Sequence, residues 1–144
     1  MVGPLEALKA ELERFGEVYD TATHERPRRM FNITRDTGEF LAVLVRATAA
    51  RRVLEIGTSN GYSTLWLAEA ARGIDGSVTT VESADDKIGL ASANFARSGL
   101  SPFITLVHDD VLTARNSPLP TGMRQVANAG SAVTSATKGA ICST

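Results

Sequence analysis

Apolar residues along this chain follow two spacings, and the switches between them mark out the predicted elements. Over residues 4–20, Leu5, Leu8, Leu12, Phe15 and Val18 or Tyr19 recur at three- and four-residue steps. Glu6, Lys9, Glu11, Glu13 and Arg14 fall largely opposite, which predicts an amphipathic helix opened by Pro4. Residues 24–29 are basic, contain Pro27 and read as a solvated connector. Phe40, Leu41, Val43, Leu44 and Val45 give the next helix a broad apolar face, and Asp36 with Glu39 three residues on predicts a variant capping box at its start. Val53, Leu54 and Ile56, interrupted only by Glu55, are strand-like. After Gly57 and Gly61, Tyr62 to Arg72 returns to helical spacing, with Leu65, Leu67, Ala68 and Ala71 recurring on one face.

The alternation then repeats. Ser77–Glu82 is rich in β-branched residues and predicts a second strand. Residues 84–98 predict a helix with Ile88, Leu90, Ala91 and Phe95 inward, Ser83 and Asp86 at its start, and Gly99 as its C-cap. Residues 103–107 predict a third strand. From about Asn116 the pattern dissolves into the breaker cluster Asn116-Ser117-Pro118-Leu119-Pro120 and a stretch dominated by Ala, Gly, Ser and Thr. At most a short helix over 123–129 is expected there, because such composition buries too little apolar surface to offset ordering entropy. Residues 116–144 are therefore expected to be a low-complexity, disordered tail.

Strand, glycine turn and helix open a nucleotide-binding βαβ unit, in which residues lacking Cβ let a ligand lie against the backbone at a helix N-terminus. The spacing here is Glu55-x-Gly57-x-x-x-Gly61, with Ser59 where a pyrophosphate-binding turn has its middle glycine. That spacing argues against a nicotinamide-type oxidoreductase. A looser turn with a carboxylate two residues before its first glycine suits a ligand without phosphates that carries an amine. Glu82 ends the second strand about 20 residues beyond the turn, where an acid can grip a ribose diol.

Leu54-Glu55-Ile56-Gly57-Thr58 followed by Gly61-Tyr62-Ser63-Thr64 resembles the cofactor loop of class I S-adenosylmethionine-dependent O-methyltransferases of the catechol and caffeoyl-CoA type. The resemblance implies an α/β fold, the N-terminal half of a Rossmann-like methyltransferase sheet with three parallel strands and flanking helices. It implies cofactor contacts from Ile33, Glu55, Gly57, Thr58, Ser59, Gly61, Tyr62, Ser63 and Glu82. It adds Asp110 on the adenine amine and the Val111 backbone N–H on a ring nitrogen. Residues 30–38 resemble the segment that closes over the methionine end of the cofactor, and the N-terminal helix resembles one that frames the substrate pocket. The implied activity is methyl transfer to a small-molecule hydroxyl. Docking of an acidic substrate such as a CoA thioester on the basic connector is a weaker alternative.

The likeness covers roughly residues 28–115, giving a partial cofactor-binding domain over 1–115, and then stops. The family expects a divalent metal, but its acidic ligands and catalytic lysine have no counterpart here, so no metal site and no catalytic residue are assigned. Every Asp and Glu lies at or before Asp110, and only Arg115, Arg124 and Lys138 are charged beyond it. Without a fourth strand, residues 53–57 would form an exposed edge that could recruit a second copy of the chain. The alternative to an enzyme is an inactive fragment or a partner-binding module.

Composition narrows the remaining choices. A chain of 144 residues fits one domain, and 43% hydrophobic with 22% charged residues is ordinary for a globular protein. A net charge of −1 argues against a general nucleic-acid or anionic-membrane binder. No membrane span or secretory signal is recognisable, and Cys142 is the only cysteine, so a cytoplasmic location is expected.

Overall fold

The computed structural model describes residues 3–110, 132–135 and 140–142, the last two segments as backbone strands. Helix α1 spans Pro4–Ala22, and a short 3-10 turn at Arg26–Arg28 leads towards α2 (Arg35–Ala47). There follow β1 (Arg52–Ile56), α3 (Tyr62–Arg72), β2 (Ser77–Glu82) and α4 (Asp85–Ser98). A second 3-10 turn, Ser101–Phe103, precedes β3 (Ile104–His108), and β4 (Ala132–Ser135) and β5 (Ala140–Cys142) complete the described elements.

The sheet order is β3-β2-β1-β4-β5. Strand β1 pairs parallel with β2, and β2 pairs parallel with β3. Right-handed crossovers place α3 and α4 on the same face. The expectation of an exposed β1 edge is corrected: Val53 pairs with Ala132 and Ile56 with Ser135, so β1 is a central strand. Strand β5 then runs antiparallel to β4. The sequence hid this because Ala132-Val133-Thr134-Ser135 carries too little apolar character to stand out alone; its pairing with β1 makes it a strand. The expected short helix over 123–129 lies outside the described residues.

Helix α3 is the core element. Leu65, Leu67, Ala68, Ala70 and Ala71 are buried, and so are Tyr62, Thr64 and Trp66 on its other sides. Single-face amphipathicity is absent because α2 covers the side turned away from the sheet. Each large aliphatic side chain withdrawn from water in this way is worth about 1.5–3 kcal/mol. Helix α2 buries Gly38, Leu41, Ala42 and Val45, whereas Phe40 and Val43 are exposed, so its apolar face is narrower than the sequence suggests. A Cβ on Gly38 would lie 2.5 Å from Trp66 Nε1, which explains glycine at this close crossing. The N-cap of α2 is Thr34, whose hydroxyl accepts from the Thr37 N–H, and not the Asp36–Glu39 box.

Helix α1 is rotated from the expected stripe. Leu8, Lys9, Leu12 and Gly16 are buried, while Phe15 and Val18 are exposed. Lys9, expected on the polar face, has no exposed surface. Its ammonium donates to Glu6 Oε1 at 2.8 Å and Glu69 Oε2 at 2.6 Å, and lies 3.6 Å from the centroid of the Trp66 ring. Two carboxylates and a π-face together replace the lost water, as a buried ammonium requires. The Lys9 hydrogen bond is the largest influence holding the Glu6 carboxyl below its ordinary range, with help from Arg35 against the opposing effect of burial.

Candidate active site

The bend between β1 and α3 is built from backbone conformations that few side chains tolerate. Gly57 has φ 91°, Ser59 53° and Gly61 87°. Gly61 is the N-cap of α3, and Asn60 caps the helix as well, its Oδ1 accepting from the Tyr62 N–H at 3.0 Å. Asn60 is completely buried; its carbonyl accepts from Asn94 Nδ2 of α4 at 2.9 Å. Its own Nδ2 has no hydrogen-bond partner among the described residues.

Glu82 reaches this bend from the end of β2. Its Oε2 accepts from the Ser59 N–H at 2.8 Å, and its Oε1 from the N–H groups of Ser83 at 3.0 Å and Ala84 at 3.1 Å. These bonds also satisfy the entry to α4, where the expected Ser83–Asp86 cap is not formed and the N-cap is Ala84. A carboxylate offers about four lone-pair sites, so with three bonds made Oε2 retains one. A second hydroxyl of a diol is therefore accepted only where one of the three N–H groups shares or yields its place. Among the described residues no Lys or Arg pairs with Glu82.

Gly57, Thr58, Ser59, Gly61 and Glu82 thus converge on one bend. Asp109 follows closely, because its N–H donates to the Glu82 carbonyl at 3.0 Å. Asp110 is exposed beside it, with its N–H on Asp109 Oδ1 at 2.8 Å. Val111 lies outside the described residues. Ile33 is half-buried and packs on the hydrophobic core.

Glu55, Ser63 and Tyr62 sit in the layer beneath the bend, which departs from the reading of Glu55 as a group open to a ligand amine. Strand alternation turns Val53 and Glu55 towards the helices, and the β1–β2 register sets Glu55 beside Thr80. The Glu55 carboxyl accepts from Ser63 Oγ at 2.5 Å, from Thr80 Oγ1 at 2.6 Å and from Thr64 Oγ1. Thr80 Oγ1 in turn lies 2.6 Å from Thr58 Oγ1, so a chain of hydroxyls connects the carboxyl to the bend. Tyr62 is buried with its ring edge-on to Trp66. Burial raises its phenol above the ordinary range, and the neighbouring Trp66 indole N–H partly opposes the rise without reaching hydrogen-bond geometry.

Burial likewise pushes the Glu55 carboxyl up; the three hydroxyls pull it part of the way back, and the nearby Glu82 carboxylate adds to the rise. An acid with a raised folded-state pKa favours folding fully below its unfolded pKa and loses that contribution as pH climbs towards the folded value. Glu55→Gln, which cannot ionise, should therefore gain in melting temperature relative to the parent as pH rises from about 4.3 towards neutrality. Parallel melting curves for the two proteins across that range would count against a neutral Glu55.

Several site residues carry no local sequence signal. Asp20 accepts from the Met30 N–H at 2.6 Å and the Phe31 N–H at 2.8 Å, and Ser59 Oγ donates to the Met30 carbonyl at 2.7 Å. Lys87 of α4 donates to the Arg29 carbonyl at 2.9 Å. Residues 29–31 therefore lie against the bend. Asn60, between the two glycines, could have been suspected as a turn residue; Asp20 and Lys87 could not.

Among the described residues no group of three or more His, Cys, Asp or Glu side chains could hold a metal ion. No described helix is long and apolar enough to cross a membrane.

Comparison with known proteins agrees with this geometry. A catechol O-methyltransferase of Mycobacterium tuberculosis is 41% identical over 75 residues, which is 52% of this chain and 34% of that protein. An O-methyltransferase from Bacillus cereus, solved in complex with SAH, superposes with a TM-score of 0.61 at 27% identity, covering 85% of this chain and 48% of that one. TomG from Streptomyces achromogenes, solved with SAM, gives a TM-score of 0.64 at 25% identity over 80% of this chain and 48% of that one. The chain thus spans about a third of the length of the curated relative and half that of the solved ones. The sequence profile of the O-methyltransferase family matches residues 8–119, most of the chain, and with the Rossmann-like sheet and glycine bend this establishes that the chain belongs to the O-methyltransferase family.

Proposed function

We propose that the β1–α3 bend and Glu82 hold S-adenosylmethionine, and that the chain contributes the cofactor-binding half of an enzyme methylating a small-molecule hydroxyl. The observation carrying this reading is the Glu82 carboxylate bonded to the Ser59 N–H, an acid set against a bend with little side-chain bulk. Gly57, half-buried and without Cβ, leaves backbone open to a ligand, whereas Gly61 serves the turn itself and packs against Phe95. An acid with no cationic partner among the described residues suits a cationic ligand. The support from relatives is the SAH bound by the Bacillus cereus protein and the SAM bound by TomG.

The bound cofactor supplies a methyl group on a positively charged sulfur, and rate in such a transfer comes largely from alignment of the acceptor with that methyl. In this chain Glu82 would orient the ribose, the bend would seat the amino-acid portion, and Asp110 with the Val111 N–H would meet the adenine. The residues that choose and deprotonate the acceptor, and those that bind any metal, are not assigned within this chain. Little turnover is expected of it alone, and an inactive or partner-binding role is the second reading. Self-association through the sheet would use its outer strands, β3 and β5, since β1 is paired on both sides. A cytoplasmic location belongs to the same proposal.

Thermal melting with S-adenosylmethionine, with NAD as control, tests the reading. Ligand at 100 times its Kd adds about 2.7 kcal/mol, which is several degrees for a domain of this size. No shift with S-adenosylmethionine, or an equal one with NAD, would sink it.

A further inference from the structure

Residues 29–31 form a strap whose backbone is tied to three different elements. On the α1 side, Asp20 takes the N–H groups of Met30 and Phe31 with its two carboxylate oxygens, while Arg29 Nε donates to the Thr23 carbonyl at 2.7 Å. On the α4 side, Lys87 holds the Arg29 carbonyl. In the middle, Ser59 Oγ donates to the Met30 carbonyl and lies 3.4 Å from the Met30 sulfur. Phe31 has φ 48°, a conformation a bulky residue keeps only when its surroundings hold it there. Asp20 itself lies in the last turn of α1, where a negative charge opposes the helix dipole. Its carboxylate does nothing for its own helix; its partners are the strap amides.

Ser59 is the junction. Its side chain holds the strap and its N–H holds Glu82, so a displacement of the strap reaches the Glu82 carboxylate through one residue. We propose that Asp20 is a positioning residue for the cofactor, setting affinity by holding the Met30–Phe31 backbone against Ser59, with Lys87 as the second fastener. The proposal rests on the S-adenosylmethionine reading above and adds residues outside the glycine bend to it.

The test is calorimetric titration of the whole chain with S-adenosylhomocysteine, first on the parent. Absence of binding by the parent removes the cofactor reading and this inference with it. Given parent binding, Asp20→Asn should weaken affinity about tenfold, the effect of losing one charge-assisted contact, with the ligand-free melting temperature held within about 2 °C. Lys87→Met should act in the same direction. In a Ser59→Ala background, where the connection is already cut, Asp20→Asn should have little further effect on affinity. Unchanged affinity in Asp20→Asn, or a loss that adds fully to that of Ser59→Ala, overturns the proposal and leaves the cofactor reading standing. Should Asp20→Asn melt much lower, the same cycle with Lys87→Met decides the question by the same two outcomes.

Discussion

Alanine at Gly61 should lower the melting temperature by roughly 5–15 °C. Gly61 is left-handed, with φ 87°, and a Cβ there would lie 2.6 Å from Phe95 Cε1, inside the core. The left-handed conformation costs alanine about 1–2 kcal/mol and overpacking another 1–3. The gain from a stiffer unfolded chain, about 0.4–1 kcal/mol, is too small to compensate. Gly89 is the control. It lies within α4 with nothing within 4 Å of its would-be Cβ, so Gly89→Ala should stabilise by up to about 1 kcal/mol. Denaturant melts of both variants, compared with the parent, measure the contrast. A harmless Gly61→Ala would mean that the bend is not fixed in this conformation.

Glu82→Ala should abolish the melting shift produced by S-adenosylmethionine, a loss of affinity on the order of a hundredfold for one or two charge-assisted hydrogen bonds. It should also destabilise the ligand-free chain, because the N–H groups of Ser59, Ser83 and Ala84 lose their acceptor. Glu82→Gln separates these effects. Its amide oxygen can still accept from the α4 entry, but its NH₂ then opposes the Ser59 N–H. Stability should recover in large part while affinity stays low. If Glu82→Gln binds S-adenosylmethionine as the parent does, the carboxylate has no role in gripping the ribose.

The parts of this fold legible in sequence are those decided by near neighbours. Tyr62–Arg72 and Ser77–Glu82 have the limits their periodicity and β-branched content indicate, and Gly99 adopts the left-handed C-cap expected of it. What escaped was decided across the chain. Lys9 looks like a surface lysine until Glu69 and Trp66 arrive from α3 to surround it. Glu55 looks open until Ser63, Thr64 and Thr80 close over it. Strand β4 is recognisable only through β1.

The candidate site divides in the same way. The glycine bend and Glu82 could be read because their spacing reflects the fixed path of a βαβ unit. The strap could not. Asp20 and the amides it holds belong to different elements, and neither Met30 nor Phe31 advertises that its backbone, rather than its side chain, is the contact.

The enclosure of Lys9 gives the molecule an internal gauge. Of its three lysines, Lys87 is half-buried on α4 and Lys138 lies outside the described residues, while the Lys9 amine is shut beneath α1. An acylating reagent can reach it only when the first helix lifts from α3. The extent of labelling at this one amine therefore reports how often the N-terminal layer opens, separately from the sheet it covers.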